Sequence, residues 1–236
     1  IMIDYKKFSL ILLPHIDDEF ALIPILKKII NENNRNIKVI YFSERNNENQ
    51  FYRKIENKKA LKMIGINLEQ VIYLNEFFLI EDKKLYLSAE KIFNYITNLS
   101  DINNMQIFTL ALEGGHPDHD ALALIAKKIG KAMKINVFYF PAYNYENISF
   151  IPFKVLVPLK SCRSLFKKIK MKKWCWLDSL KLTLIYKSEY KAFLKLMPFL
   201  IYKFVFSDGI YFSSEINYFK VNWEKSLTKK RYKVDF

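Results

Sequence analysis

The chain has 236 residues, 51% hydrophobic and 26% charged, which is enough apolar material for a buried core and excludes general disorder. Lys and Arg number 38 against 24 Asp and Glu, a formal charge of +14 that favours phosphates, anionic membrane surfaces and acidic substrates without choosing among them. The two cysteines, Cys162 and Cys175, have no paired-motif spacing, which argues against a disulfide scaffold and for a reducing, cytoplasmic setting.

In chain order, Phe8 to Leu13 is a short continuous apolar run, as in a strand buried on both faces. Lys6 and Lys7 before it faintly resemble a signal peptide, but the run is too short and charged residues replace the small-residue cleavage site. Ile23 to Ile30 has helical spacing, with Pro24 suited to a first turn. Ile37 to Phe42 reads as a second strand, and Gln50 to Ile64 as a helix stopped by Gly65. Gln70 to Leu74 is a third strand, Ser88 to Leu99 a helix and Gln106 to Leu112 a fourth strand. Asp118 to Met133 is an amphipathic helix with Ala121, Leu122, Ile125, Ile129 and Ala132 on one face. Ile135 to Phe140 is a fifth strand.

This alternation predicts an α/β fold: a Rossmann-like, mostly parallel sheet flanked by helices. After Pro141 the pattern weakens. Residues 148 to 160 suggest one or two strands, Asp178 to Met197 a helix, and residues 198 to 223 aromatic-rich strands. The expected organisation is one domain over 1–236, with a core over 1–140 and a C-terminal strand/helix extension over 141–236. No segment reaches the roughly 18 apolar residues a bilayer-spanning helix needs.

The chain has three histidines, His15, His116 and His119, and all lie in two short acidic motifs. Leu13-Pro14-His15-Ile16-Asp17-Asp18-Glu19-Phe20 follows the first strand, and Glu113-Gly114-Gly115-His116-Pro117-Asp118-His119-Asp120 follows the fourth. In a parallel sheet both places are the carboxyl rim, where sites form at a topological switch point. The glycines permit a tight turn, Pro117 suits a first helical turn, and His116 and His119 are spaced to share a face. Asp118 and Asp120 both read as complements to the helix dipole, the favoured reading for Asp120, while Asp118 is also open as a partner for a histidine. Two histidines and a carboxylate with an open position suit catalytic zinc. The same donor set is the facial triad of non-haem iron oxygenases, although strand-to-helix loops are not the β-barrel setting usual for that class.

Pro14-His15-Ile16-Asp17-Asp18-Glu19 with Gly115-His116-Pro117-Asp118-His119 resembles the PIG-L or LmbE-like deacetylases, zinc-dependent enzymes that remove acetyl groups from N-acetylglucosamine-type sugars. Arg53, Glu56 and Ala60, then Gly65, add a third match, and Lys181 to Glu189 a weaker fourth, with Glu189 in place of the family's Gln. The resemblance spans roughly residues 8 to 190. It implies Zn2+, or another divalent metal such as Fe2+, held by His15, Asp18 and His119. Asp17 would be the general base, His116, protonated, the oxyanion stabiliser or acid, and Arg53 a substrate contact. Ile16 replaces the usual proline, Phe20-Ala21-Leu22-Ile23-Pro24 replaces a Gly-rich helix start, and no late substrate-binding histidine follows His119.

The segment with Lys167, Lys168, Lys170, Lys172 and Lys173 reads as a solvated face or a phosphate-docking surface. A nucleotide-linked sugar, a polyprenyl-diphosphate sugar or a lipid headgroup suits the second reading. Ala192 to Phe206, apolar with interleaved lysines, reads as core helix and strand or as a peripheral membrane contact at the surface. The expected partner is an N-acetylated, acidic or phosphate-bearing sugar. The alternative is a basic nucleic-acid-binding or metal-binding module without catalysis. It has no recognition motif for a specific nucleic acid, and nucleic-acid binding leaves the clustered histidines unexplained.

Overall fold

A computed structural model describes residues 2–33, 36–44, 50–99, 104–144, 154–172, 175–206 and 209–216. Its centre is a five-stranded parallel sheet in the order β3-β2-β1-β4-β5. The strands are β1 (Phe8–Leu13), β2 (Ile37–Tyr41), β3 (Val71–Tyr73), β4 (Met105–Leu110) and β5 (Asn136–Phe140). Between them run α1 (Ile23–Asn33), α2 (Gln50–Ile64), the single turn α3 (Asn75–Phe78), α4 (Ala89–Thr97) and α5 (Pro117–Met133).

The apolar runs form strands because both sheet faces are covered. Ile11 and Leu13 pack into one core with α1, α2 and the C-terminal helices, while Leu10 and Leu12 pack into a second with α4 and α5. All six residues of β4 are buried. The α5 stripe follows the sequence reading through Ile129, but Ala132 is exposed. Gly65 ends α2 at φ +102, a left-handed position that suits glycine after a helix.

The C-terminal part departs from expectation. Two helices, α6 (Cys175–Ile185) and α7 (Tyr190–Phe206), replace the expected single helix. The break falls at Tyr186, whose ring turns inward, fully buried and stacked on Phe193 at 5.6 Å. The strands expected from 198 are absent through 206: Pro198 to Phe206 stay helical because α7 packs along α6 and buries Phe193 and Leu200 one above the other. The high β propensity of Phe, Tyr and Ile yields there to helix packing. Of the strands expected over 148 to 160, the structure describes β7 (Lys154–Val155), antiparallel to β6 (Tyr143–Asn144), and a 3-10 turn over Lys160–Leu165. Residues 148–153 and 217–223 lie outside the described residues. β8 (Lys167–Lys170) pairs antiparallel with β9 (Gly209–Phe212), and Ser213 bridges to Tyr139 at the β5 edge. Neither Cys162 nor Cys175 forms a disulfide among the described residues.

Candidate active site

The chain reverses direction across the sheet between β1 and β4, and the two histidine motifs leave the carboxyl ends of these neighbouring strands. After β1 the backbone turns tightly. Asp18 Oδ2 accepts from the His15 amide (2.9 Å) and faces His15 Nδ1 (3.1 Å), while Asp18 Oδ1 lies 3.2 Å from His119 Nε2. After β4, Gly115 brings the chain so close to Tyr143 that a Cβ there would sit 2.3 Å from its carbonyl oxygen. His116 is the N-cap of α5, with Pro117 beginning the helix, and His116 Nδ1 accepts from the Asp118 amide (3.2 Å). The rings of His15, His116 and His119 form a triangle with centroids 4.7, 5.5 and 5.1 Å apart.

Asp118 meets the expectation of a histidine partner: it is fully buried and its Oδ2 lies 3.1 Å from His15 Nε2. It also accepts from the Ser43 hydroxyl (3.0 Å) and the amides of Lys83 (2.7 Å) and Leu85 (3.1 Å). Asp120 does more than face the helix dipole. Its Oδ1 accepts from the amides of Glu113 (2.9 Å) and Gly114 (3.0 Å), clamping the loop that delivers His116.

Asp17 sits at φ 93, a left-handed conformation that is costly for a residue other than glycine. Groups from distant segments hold it. Arg53 Nη2 donates to the Ile16 carbonyl (2.7 Å) and to Asp17 Oδ2 (2.7 Å), and Arg53 Nε lies 3.6 Å from Glu189. Glu19 Oε2 accepts from the Asp17 amide (3.1 Å) and from the Tyr41 hydroxyl (3.0 Å). Glu19 Oε1 accepts from the Tyr186 hydroxyl and from Asn57 Nδ2 (3.3 Å). Arg53 is 5% exposed, and its guanidinium is engaged with the Asp17 loop.

Burial pushes the Asp17 carboxyl up to about 6, against the pull of Arg53, with Asp18 and Glu189 adding to the rise. Burial lifts Glu19 to about 7 although Tyr186 and Tyr41 donate to it. Asp18 is held well below the usual carboxylate range, because His119 and His15 outweigh its burial. His15 moves the other way: burial opposes its protonation, but Asp118, Asp18 and Asp82 together raise it well above the ordinary histidine value. His116 is lowered to about 3, by burial first and then by His15 and His119. Because His116 Nδ1 accepts from the Asp118 amide, a neutral ring carries its proton on Nε2.

These residues fit a divalent cation on the chemistry of the donors. Three carboxylates converge on His15, and despite its burial their negative charge raises its pKa well above the ordinary histidine value. Among the described residues, buried His119 Nε2 has no well-aligned hydrogen-bond partner, with Asp18 Oδ1 beside it at 3.2 Å. Ligand atoms of His15, His116 and His119 lie within 4.8 Å of one another, as do those of His15, Asp82, His116 and Asp118. Asp82 escaped the sequence reading. It lies after α3, where no motif marks it, and its Oδ1 is 3.3 Å from His15 Nε2 and 3.5 Å from His116 Nε2. Ser43 was missed too, and its place just beyond β2 on the same rim was the available signal.

The sequence model of the GlcNAc-PI de-N-acetylase (PIG-L) family matches residues 10–129, just over half of the chain. The chain belongs to this family. No curated protein matches it. Among solved structures, a deacetylase triple mutant from the teicoplanin biosynthetic pathway superposes with TM-score 0.59 at 12% identity, over 87% of this chain and 96% of that one. The zinc-inhibited form of teicoplanin deacetylase Orf2 gives 0.58 at 11%, over 87% and 96%. N,N'-diacetylchitobiose deacetylase from Pyrococcus horikoshii gives 0.56 at 15%, over 86% and 82%. At these identities the likeness is one of fold, and the PIG-L family assignment rests on the matched segment, which contains both histidine motifs.

Proposed function

We propose that this protein is a metal-dependent N-deacetylase that hydrolyses the N-acetyl group of a GlcNAc-type amino sugar. The convergence of His15, Asp18, His116 and His119 from two strand ends, with Asp17 held beside them, carries the reading. In it, His15, Asp18 and His119 hold the metal. Zinc in such a site supplies Lewis acidity for the acetyl carbonyl and lowers the pKa of water to about 7. Asp17, pushed up to about 6, is matched to proton transfer near neutral pH. It accepts the proton of the hydrolytic water and returns it to the departing amine. The neutral His116 donates its Nε2–H to the developing oxyanion, an interaction worth about 3 to 4 kcal/mol when well aligned. Arg53 positions Asp17 by holding both its carboxylate and the preceding carbonyl. Asp82 and Asp118 orient the imidazoles and keep the pocket negative.

The exposed basic surface supports an acidic or phosphate-bearing acceptor, such as a nucleotide- or lipid-linked sugar. The core and the C-terminal extension act as one unit in this reading, since Tyr186 and Glu189 both reach the catalytic loop. The setting in this reading is cytoplasmic, in keeping with two cysteines that form no disulfide among the described residues. No described helix is long and apolar enough to cross a membrane.

The test is acetate release from a panel of free, nucleotide-linked and lipid-linked N-acetylglucosamine derivatives. Release is expected to stop on chelation and return with Zn2+. Asp17→Asn is expected to lower kcat by about 10²–10⁴, with zinc affinity by calorimetry retained. Absence of metal-dependent release across the panel refutes the reading.

A further inference from the structure

One face of α7 is solvent-exposed and apolar over the length of the helix. Tyr190, Leu194, Ile201, Tyr202, Val205 and Phe206 are 58, 66, 47, 61, 41 and 68% exposed. They recur at helical spacing, so they form a continuous strip rather than scattered side chains. Exposed Lys191 and Lys195 lie within it, and α7 contains no acid. From Lys154 to Phe206 there are thirteen Lys and Arg against two acids. Both acids are engaged elsewhere, Asp178 with Lys27 at 3.0 Å and Glu189 with Arg53 at 3.6 Å. The pairing of Lys170 with Gly209 brings exposed basic residues of β8 to the C-terminal end of the same helix.

We infer that this face of α7 docks the protein on the surface of an anionic lipid bilayer. An apolar strip with interleaved lysines and no acid matches a negatively charged headgroup layer over acyl chains. A second copy of the chain is a poorer occupant, since apposing two such strips brings Lys191 and Lys195 against their own counterparts. The strip starts at Tyr190, directly after Glu189, which contacts the arginine that holds Asp17. Docking therefore brings the rim of the candidate site close to the bilayer. The inference stands on the surface alone and is independent of the deacetylase reading.

The experiment is co-sedimentation of the full chain with vesicles of phosphatidylcholine alone, or with one-third phosphatidylglycerol, at physiological salt. Partition onto the anionic vesicles is expected to be about tenfold stronger or more. Leu194→Glu with Ile201→Glu is expected to reduce it by about tenfold or more, with far-UV circular dichroism and Tm unchanged because both side chains are exposed. Lys191→Gln with Lys195→Gln is expected to lower the preference for anionic over neutral vesicles. Three results overturn the inference. One is no partition onto either vesicle. Another is anionic binding that the Leu194/Ile201 variant leaves intact, which marks general adsorption of a basic chain. The third is a wild-type dimer by light scattering that the same variant dissociates without any vesicle binding, which assigns the strip to self-association.

Discussion

Glu113, the last residue before the glycine turn that delivers His116, gives the fold a measurable alkaline weakness. The residue is 6% exposed, and burial lifts its carboxyl from the usual 4.5 to about 8, although the Ala142 amide (2.8 Å) and Asn144 Nδ2 (3.3 Å) donate to it. A carboxyl that binds its proton more tightly when folded contributes stability fully present below 4.5 and lost as pH rises towards and through about 8. The slope in that window is about 1.4 kcal/mol per pH unit, which integrates to a loss of about 3 kcal/mol from about pH 6 to about pH 9. Glu113→Gln removes the titration and keeps the acceptor for Ala142. It forfeits the longer Asn144 contact at a cost of about 1 kcal/mol. Urea unfolding of both proteins across this range gives the difference curve, in which Asp17 and Glu19 cancel. The variant is expected to be the stronger protein, already by about 1 kcal/mol at about pH 6 and by about 4 kcal/mol at about pH 9. A difference independent of pH refutes the assignment of a buried, protonated Glu113.

Arg53→Gln removes the charge that holds the Asp17 carboxyl down; because the proposed mechanism uses Asp17 deprotonated, as a base, the acid limb of kcat/KM is expected to move to higher pH by about one to two units. Tyr186→Phe leaves Glu19 and Asn57 without a shared hydroxyl, and urea unfolding is expected to show a loss of about 1–3 kcal/mol, larger at alkaline pH where Glu19 is ionised. Gly115→Ala drives a methyl into the Tyr143 carbonyl, and thermal unfolding is expected to reveal a destabilisation of about 1–3 kcal/mol together with lost acetate release as His116 is displaced.

Local pattern carried much of this architecture. The bounds of β1 and α2 follow from an apolar run and from helical spacing ended by Gly65, and the parallel sheet follows from alternation. Both histidine motifs were legible because each sits at a strand end, where the topology makes neighbours of residues about a hundred positions apart. What escaped was set by long-range packing. Phe, Tyr and Ile in α7 carry strand propensity, and contact with α6 overrides it. Asp82 lies in a connection without motif or periodicity, so nothing local marks its approach to His15 and His116. For Arg53 the sequence shows its helix face but not its partner Asp17, 36 residues away.

The same long-range packing explains what the C-terminal extension does for the site. A left-handed Asp17 persists only if its surroundings over-determine it. Arg53 fixes its carboxylate and the carbonyl before it, and Glu19 fixes its amide. Neither holder stands alone: Glu189 lies beside the Arg53 guanidinium, and Tyr186 donates to the Glu19 carboxylate. Both supporters come from the break between α6 and α7, within four residues of each other. In the proposed mechanism the β1 motif supplies the base, and the extension supplies its aim. That division places the kink at Tyr186, rather than a continuous helix, under functional constraint: straightening it would withdraw both supports from Asp17 at once.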